Sequence, residues 1–370
     1  MDTRVTQFIK KFDFLFFLLM IVIFLIGITN LYSANHASTS ESMRNLWKVQ
    51  IMWFSVATFA GFIMSVIASP KTLFRFSYPV YFLNLILLIL VLLLGKKGMG
   101  AQRWLVLGPI RLQPSELMKI SLTLALARYY ARNYPDIELT IKTIIKPGIL
   151  TLIPALLIMA QPDLGTGGLL VLIFLVMTFY RQIKWKSIGI LAIAGLIIGT
   201  LGYNFALKEY QKKRIITFIN PKADAKGSGY NAIQSEIAIG SGRITGKGYM
   251  KSTQASLQYL PENHTDFVFS IFNEEHGLFG SVILITLYIF LLMRFVWLSG
   301  SVLRFYDSLL AVGLMSIFFW HIIINMSMVM GLFPVVGLPL PFMSYGGSSL
   351  LTFGICIGMA TSLSNSRTLF

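Results

Sequence analysis

FDFLFFLLMIVIFLIGITNLY, residues 12–32, decides the fold. A run of about 20 apolar residues is long enough to cross a hydrocarbon core as a helix. Lys10 and Lys11 stand before it, as they would before a secretory leader. The run is too long for a leader's core, however, and no clear small-x-small cleavage site follows. It reads as a first transmembrane helix that is retained. Runs of the same kind recur at 47–68, 75–95, 115–132, 147–160, 164–181, 185–205, 266–293, 305–331 and 347–366. The spans 147–160 and 164–181 form one hydrophobic pair, interrupted by a tight turn at Gln161-Pro162-Asp163.

Composition agrees with that reading. The chain has 370 residues, 55% hydrophobic and 12% charged, with mean hydropathy +0.72. Soluble domains carry roughly twice that charged fraction. No polar stretch is long enough to bury a core of its own. The expected fold is therefore all-α and polytopic, a single membrane unit over residues 1–370. It has about ten transmembrane helices and one large extracytoplasmic loop, 206–265, between the seventh and eighth. The net charge of +16 reads as the Lys/Arg excess of cytoplasmic loops, not as a nucleic-acid surface. A single cysteine, Cys356, excludes a disulfide framework and a thiolate metal cluster.

Orientation follows from Lys and Arg in the short loops. With the N-terminus inside, the inner loops hold Lys71, Arg75, Arg128, Arg132, Lys142, Lys146, Arg181, Lys184, Lys186, Arg294, Arg304 and Arg367. Ten spans return the C-terminus to the cytoplasm. The segment 96–114 dissents, with Lys96, Lys97, Arg103 and Arg111. Parity then gathers four unusual segments on the outer face: 96–114, 161–166, 206–265 and 332–347. A transporter would carry functional groups near mid-depth, often with repeated halves, and no internal repeat is visible.

At the lip of the eighth span stands Asp266, in LPENHTDFVFSIFNEEHGLFG, residues 260–280. Two readings compete. Thr265 as N-cap and Asp266 as a first-turn acid would be ordinary helix chemistry. A carboxylate partly withdrawn from water is also suited to act as a general base or as a ligand for a hard metal ion. In QPSELMK, 113–119, Glu116 and Lys119 share a helical face inside the membrane, where a lone ammonium is costly. They read as an ion pair, either structural or facing a polar cavity. Asp163, followed by Gly165, Gly167 and Gly168, reads as cavity support, and Asn325 as a hydrogen-bonding group between helices.

AIGSGRITGKG, 238–248, resembles a P-loop only superficially. Ser241 stands where Gly is needed, and Gly248 follows Lys247 where Ser or Thr is needed, so nucleotide binding is excluded. Its Arg243 and Lys247, with Lys212, Lys213, Arg214 and Lys251, suit either a pyrophosphate or anionic headgroups. The stretch 333–345, with Pro334, Pro339 and Pro341, reads as a rigid lid on the bilayer surface. His36, His264, His276 and His321 fit no zinc spacing. No serine-hydrolase elbow occurs. The residues alone thus reach an outer-face site for an anionic, lipid-linked substrate.

Seven blocks in order, GAQRWL (100–105), QPSELMK (113–119), QPDLGT (161–166), AIGSG (238–242), GKG (246–248), LPENHTDF (260–267) and PVVGLPLPFMSYGGSS (334–349), resemble the SEDS family, the RodA/FtsW group, nearest its rod-shape-determining branch. The resemblance covers nearly the whole chain. It implies a ten-helix peptidoglycan glycosyltransferase of the bacterial cytoplasmic membrane, acting in cell elongation. Its substrates would be lipid II and the growing glycan-pyrophosphate-undecaprenol. Its partners would be a class B penicillin-binding protein and other elongation-complex proteins. It maps the family's essential aspartate onto Asp266 and cavity residues onto Glu116 and Lys119. Arg103, Trp104, Arg214, Arg243, Lys247, His264 and Ser344 become expected substrate contacts. A divalent cation, Mg or Mn, on Asp266 is a further expectation; nucleotide, haem and flavin are not expected. Asn263 stands where relatives often have Arg, and Arg243 where Gly is common. The competing classes are a lipid II flippase, which needs charges along a path at mid-depth, and a non-catalytic scaffold of the cell-wall synthase.

Overall fold

The computed structural model describes residues 12–38, 40–98, 101–107, 110–134, 138–206, 209–224 and 227–365. Lys10, Lys11 and Arg367 lie outside that set, as do the side chains of Lys96 and Lys97. The helices, in order, are α1 (Phe14–Asn35), α2 (Glu41–Arg44), α3 (Leu46–Ile67), α4 (Pro70–Leu94), α5 (Pro114–Asn133), α6 (Ile141–Ala160), α7 (Leu164–Tyr180) and α8 (Trp185–Leu201). After these come α9 (Glu209–Ile219), α10 (Ser228–Gly242), α11 (Thr253–Ser256), α12 (Val268–Ser301), α13 (Phe305–Val329) and α14 (Gly347–Ser364).

A helix occupies each of the ten expected spans. Eight are long and apolar enough to cross a membrane, making this a multi-pass membrane protein. The other two are α7, with 17 residues, and α5, which carries Glu116, Lys119, Arg128 and Arg132. The lower apolarity of α5 has a structural reason. It is buried on nearly all sides, packed by α4, α6, α7, α13 and α14, so little of it would face lipid. By contrast, α8 buries very little and turns Ile193, Leu196 and Ile197 outward.

The tightest helix pair is α3 with α14. Gly354 and Gly358 are one turn apart on α14 and meet Gly61 on α3. A β-carbon on Gly358 would lie 2.1 Å from the Gly61 carbonyl oxygen. Without a hydrophobic force between helices in lipid, such close backbone contact is what gives the pair its dispersion energy.

The structure revises three expectations. The segment 96–112 forms a small antiparallel sheet, β1 (Lys96–Gly98), β2 (Ala101–Leu107) and β3 (Ile110–Leu112), so the fold is not purely helical. The long loop is itself largely helical, built from α9, α10 and α11. The 333–345 stretch does not lie out on the bilayer surface. Leu338, Leu340, Phe342 and Met343 are buried within the bundle, because a proline-broken chain with this many apolar side chains gains more by packing inward.

Candidate active site

The four segments assigned to one face do meet at one end of the bundle. Arg103 of β2 donates from Nε to the Gln161 carbonyl at 3.3 Å and from Nη2 to the Pro162 carbonyl. Arg214 of α9 donates to the Val335 carbonyl at 3.0 Å. The amide of Tyr345 donates to the His264 carbonyl at 2.8 Å. At the opposite end Arg128 binds the Phe74 and Arg75 carbonyls, Arg181 the Tyr134 carbonyl, and Arg294 the Asp13 carboxylate at 2.6 Å.

Asp266 sits in this meeting place. Helix α12 begins only at Val268, with Phe267 as its cap residue, no side-chain cap and no acid in its first turn. That overturns the capping reading of Thr265 and Asp266. The Thr265 hydroxyl instead turns back to Glu262. Asp266 is half-buried, and among the described residues no hydrogen bond reaches either of its carboxylate oxygens. Its backbone carbonyl accepts from Asn325 Nδ2 at 3.0 Å, and the same amide donates to the Leu338 carbonyl at 2.8 Å. Gly337, at φ +75, runs so close that a β-carbon there would lie 3.3 Å from Asp266 Oδ2. Burial raises the carboxyl's pKa to about 6, Glu262 and Asp163 add to the rise, and Arg214 and Arg103 oppose it.

A second cluster lies beneath, entirely buried. Lys119 Nζ is 2.8 Å from Glu116 Oε2 and 2.8 Å from His321 Nε2. The other ring nitrogen of His321 is 2.9 Å from the Pro339 carbonyl oxygen. Glu116 and Lys119 are thus the expected ion pair, but one joined by a histidine from α13. The sequence reading missed His321. Its signal was available: a histidine four residues before Asn325, on the same face of an otherwise apolar helix. Glu262 and Gln50 were also missed; the Gln50 side chain grips both the Ser344 carbonyl and the Gly346 amide.

The other candidates sort plainly. Asp163 caps α7, accepting from Thr166 N at 3.2 Å and Thr166 Oγ1 at 3.0 Å. Trp104 follows Arg103 on β2, half-buried on the strand's other face. His264 is half-buried, and burial lowers its pKa while Glu262 opposes the fall. Ser344 Oγ accepts from the Leu340 amide at 2.8 Å and so closes the inward loop on itself.

Arg243 and Lys247 belong elsewhere, at a break in α12. Gly277 takes φ +64, ψ −162 and interrupts the helix. The 243–248 segment fills the break: the amides of Lys247 and Gly248 donate to the Glu274 and Glu275 carbonyls, and the Arg243 and Ile244 carbonyls accept from Leu278 and Phe279. A β-carbon on Gly246 would lie 2.1 Å from the Glu275 carbonyl oxygen. The Gly-Lys-Gly motif is therefore a backbone plug. Lys247 Nζ is 2.5 Å from Glu274 Oε1, and Arg243 is exposed.

Among the described residues no group of three or more His, Cys, Asp or Glu is placed to hold a metal ion. Asp266 could offer one carboxylate, a donor set that suits Mg²⁺ only when substrate phosphates complete the shell.

A multi-pass helical bundle with a half-buried carboxylate and two arginines as charge neighbours at one end defines a membrane protein with a polar site where its loops meet. The chain belongs to the FtsW/RodA/SpoVE family, described as cell cycle protein, whose model matches residues 11–369. It is 40% identical over 309 residues to the peptidoglycan glycosyltransferase MrdB of Escherichia coli K12, covering 82% of each. It is 30% identical to the peptidoglycan glycosyltransferase RodA of Treponema pallidum, covering 98% of this chain and 99% of that one. Among solved structures it resembles a chain of a peptidoglycan synthase complex that coordinates polymerization and crosslinking, with TM-score 0.80 and 31% identity over 95% of this chain and 97% of that one. It also resembles the rod shape determining protein RodA of Thermus thermophilus, with TM-score 0.70 and 28% identity over 97% of this chain and 98% of that one.

Proposed function

We propose that this chain is a peptidoglycan glycosyltransferase that polymerises lipid II at the outer face of the bacterial cytoplasmic membrane, for elongation. The observation that carries the reading is Asp266: a carboxylate that accepts no hydrogen bond among the described residues, half-buried where the outer segments meet, with Arg103 and Arg214 as charge neighbours. A carboxyl with a pKa near 6 is ionised at neutral pH and still basic enough to take a proton as a hydroxyl attacks. In this reading Asp266 receives the proton of the acceptor's sugar 4-hydroxyl. That oxygen attacks the anomeric carbon of the growing strand with inversion, and undecaprenyl pyrophosphate leaves. Arg214 and Arg103 offset the charge that develops on the leaving group. In the alternative role Asp266 would hold a divalent cation, Mg or Mn, instead of taking the proton, and that ion would supply Lewis-acid stabilisation of the same charge.

Glu116 and Lys119 support the site from below; being buried and paired, they form no open path for a flipped headgroup. Both termini lie in the cytoplasm, α5 and α7 cross with the other eight helices, and a class B penicillin-binding protein cross-links the strands. The complex among the structural relatives supports that last pairing.

The test is polymerisation of lipid II by the purified chain with its penicillin-binding partner. Wild type should yield long glycan strands. Asp266→Asn should lose about a thousandfold in rate, within the usual share of a general base. Chelation of divalent metal, then restoring Mg²⁺ or Mn²⁺, separates a metal-assisted from a metal-free reaction. Equal polymerisation by both forms would reduce Asp266 to a structural residue. No polymer from either, with lipid II crossing vesicles, would make the protein a transporter.

A further inference from the structure

We infer that His321 is a positioning residue for Asp266, acting as a neutral imidazole with its proton on Nδ1. This rests on the glycosyltransferase reading for its consequence, though not for its geometry. His321 is fully buried on α13. Its Nδ1 lies 2.9 Å from the Pro339 carbonyl oxygen, which only accepts, so Nδ1 must donate. Its Nε2 lies 2.8 Å from the Lys119 ammonium, which only donates, so Nε2 must offer a lone pair. An imidazolium would set two like charges face to face out of water, where nothing screens them. Glu116 Oε2, 2.8 Å from Lys119 Nζ, pairs with the ammonium and completes the relay.

The relay ends on the loop that touches the reacting carboxylate. Pro339 is held by His321. Leu338, the preceding residue, is held by Asn325, one turn further along α13, and the same Asn325 amide holds the Asp266 backbone. Gly337, the residue before that, runs against Asp266 Oδ2. Two side chains on one helical face therefore set the gap between loop and carboxylate. Removing the imidazole frees the Pro339 carbonyl and leaves Lys119 with Glu116 alone. The loop then relaxes, water reaches Asp266, and the carboxylate loses its aim, a displacement small in distance and large in rate.

The experiment uses the full chain with its cross-linking partner and lipid II. His321→Leu should lower kcat about a hundredfold while leaving KM for lipid II nearly unchanged. The acid limb of the pH–rate profile should move to lower pH, as Asp266 becomes better hydrated beside Glu262, Asp163, Arg103 and Arg214. His321→Asn, whose amide stands where Nδ1 stood, should recover most of the turnover. His321→Gln, whose amide reaches the Lys119 side instead, should recover less. A Leu variant with wild-type kcat and profile, or Asn and Gln variants of equal turnover, would overturn the proposal. If the Leu variant does not fold, the Asn–Gln comparison decides by itself.

One measurement stands apart from activity: ¹⁵N NMR of histidine-labelled protein, with the four ring signals sorted by the His321→Asn variant. A neutral ring protonated at Nδ1 is expected; an imidazolium or an Nε2–H ring refutes the inference. If wild type makes no polymer while the ring shows the Nδ1 proton, the enzymatic reading has failed and the relay stands.

Discussion

Asp266 and Glu274 stand eight residues apart on one stretch of chain and live in opposite surroundings. Glu274 is fully buried. Its Oε1 accepts from Lys247 Nζ, Thr253 N and Thr253 Oγ1, and its Oε2 from Ser252 Oγ and Gln254 N. Asp266 has cations nearby and no donor on its oxygens among the described residues. A satisfied carboxylate holds structure together. An unsatisfied one costs stability and is kept where a reaction needs it.

The contrast can be broken at either end. Glu274→Gln should be the larger stability effect. It leaves Lys247 unpaired and weakens the grip of α11 on α12, a loss of about 2 kcal/mol after allowing for the partial exposure of Lys247. Thermal unfolding in detergent checks it, and an unchanged midpoint would mean the clasp is ornamental. Asp266→Asn should do the reverse and stabilise the fold by about 1 kcal/mol at pH 7.5, because an unsatisfied ionised group is removed. The sign depends on pH. Burial raises the folded pKa to about 6, above the ordinary carboxylate value, so the native state holds the proton more tightly. The penalty on wild type is absent below the ordinary carboxylate range and complete above about pH 6. The gain should therefore shrink markedly at pH 4.5, and a gain equal at both pH values would show that ionisation is not its cause. Arg243→Ala should be the smallest change, within about 0.5 kcal/mol and with polymerisation near wild type, since the exposed side chain adds nothing to the backbone plug. A large loss of polymerisation there would return the basic loop to the substrate.

Hydropathy made the spans legible, and a lone Lys119 inside a membrane helix demanded its Glu116. What stayed hidden needed three dimensions. His321 is 202 residues from Lys119, and no local pattern announces that pairing. Asp266 was placed in the first turn of a helix that starts two residues later, because period and polarity fix a helix's existence better than its end. The Gly-Lys-Gly motif pointed to an anion, since glycines that free backbone amides look the same whether the acceptor is a phosphate or a broken helix. The loop 333–345 was read by its prolines; its leucines and phenylalanine decided where it went.

The burial of α5 has a consequence for how the protein is made. As the chain leaves the ribosome, α5 emerges with two arginines and the Glu116–Lys119 pair, a poor candidate to partition into lipid alone. Its partner α4 has already been synthesised, and β1, β2 and β3 tie the two together across a short link. The helix that supplies His321 comes about 200 residues later, a delay of roughly 10–40 s at ordinary elongation rates. During that interval Lys119 has only Glu116. Membrane insertion of this protein must therefore shelter α5 first against α4 and then against α6 and α7 until α13 arrives, so the completed site records the order of its own assembly.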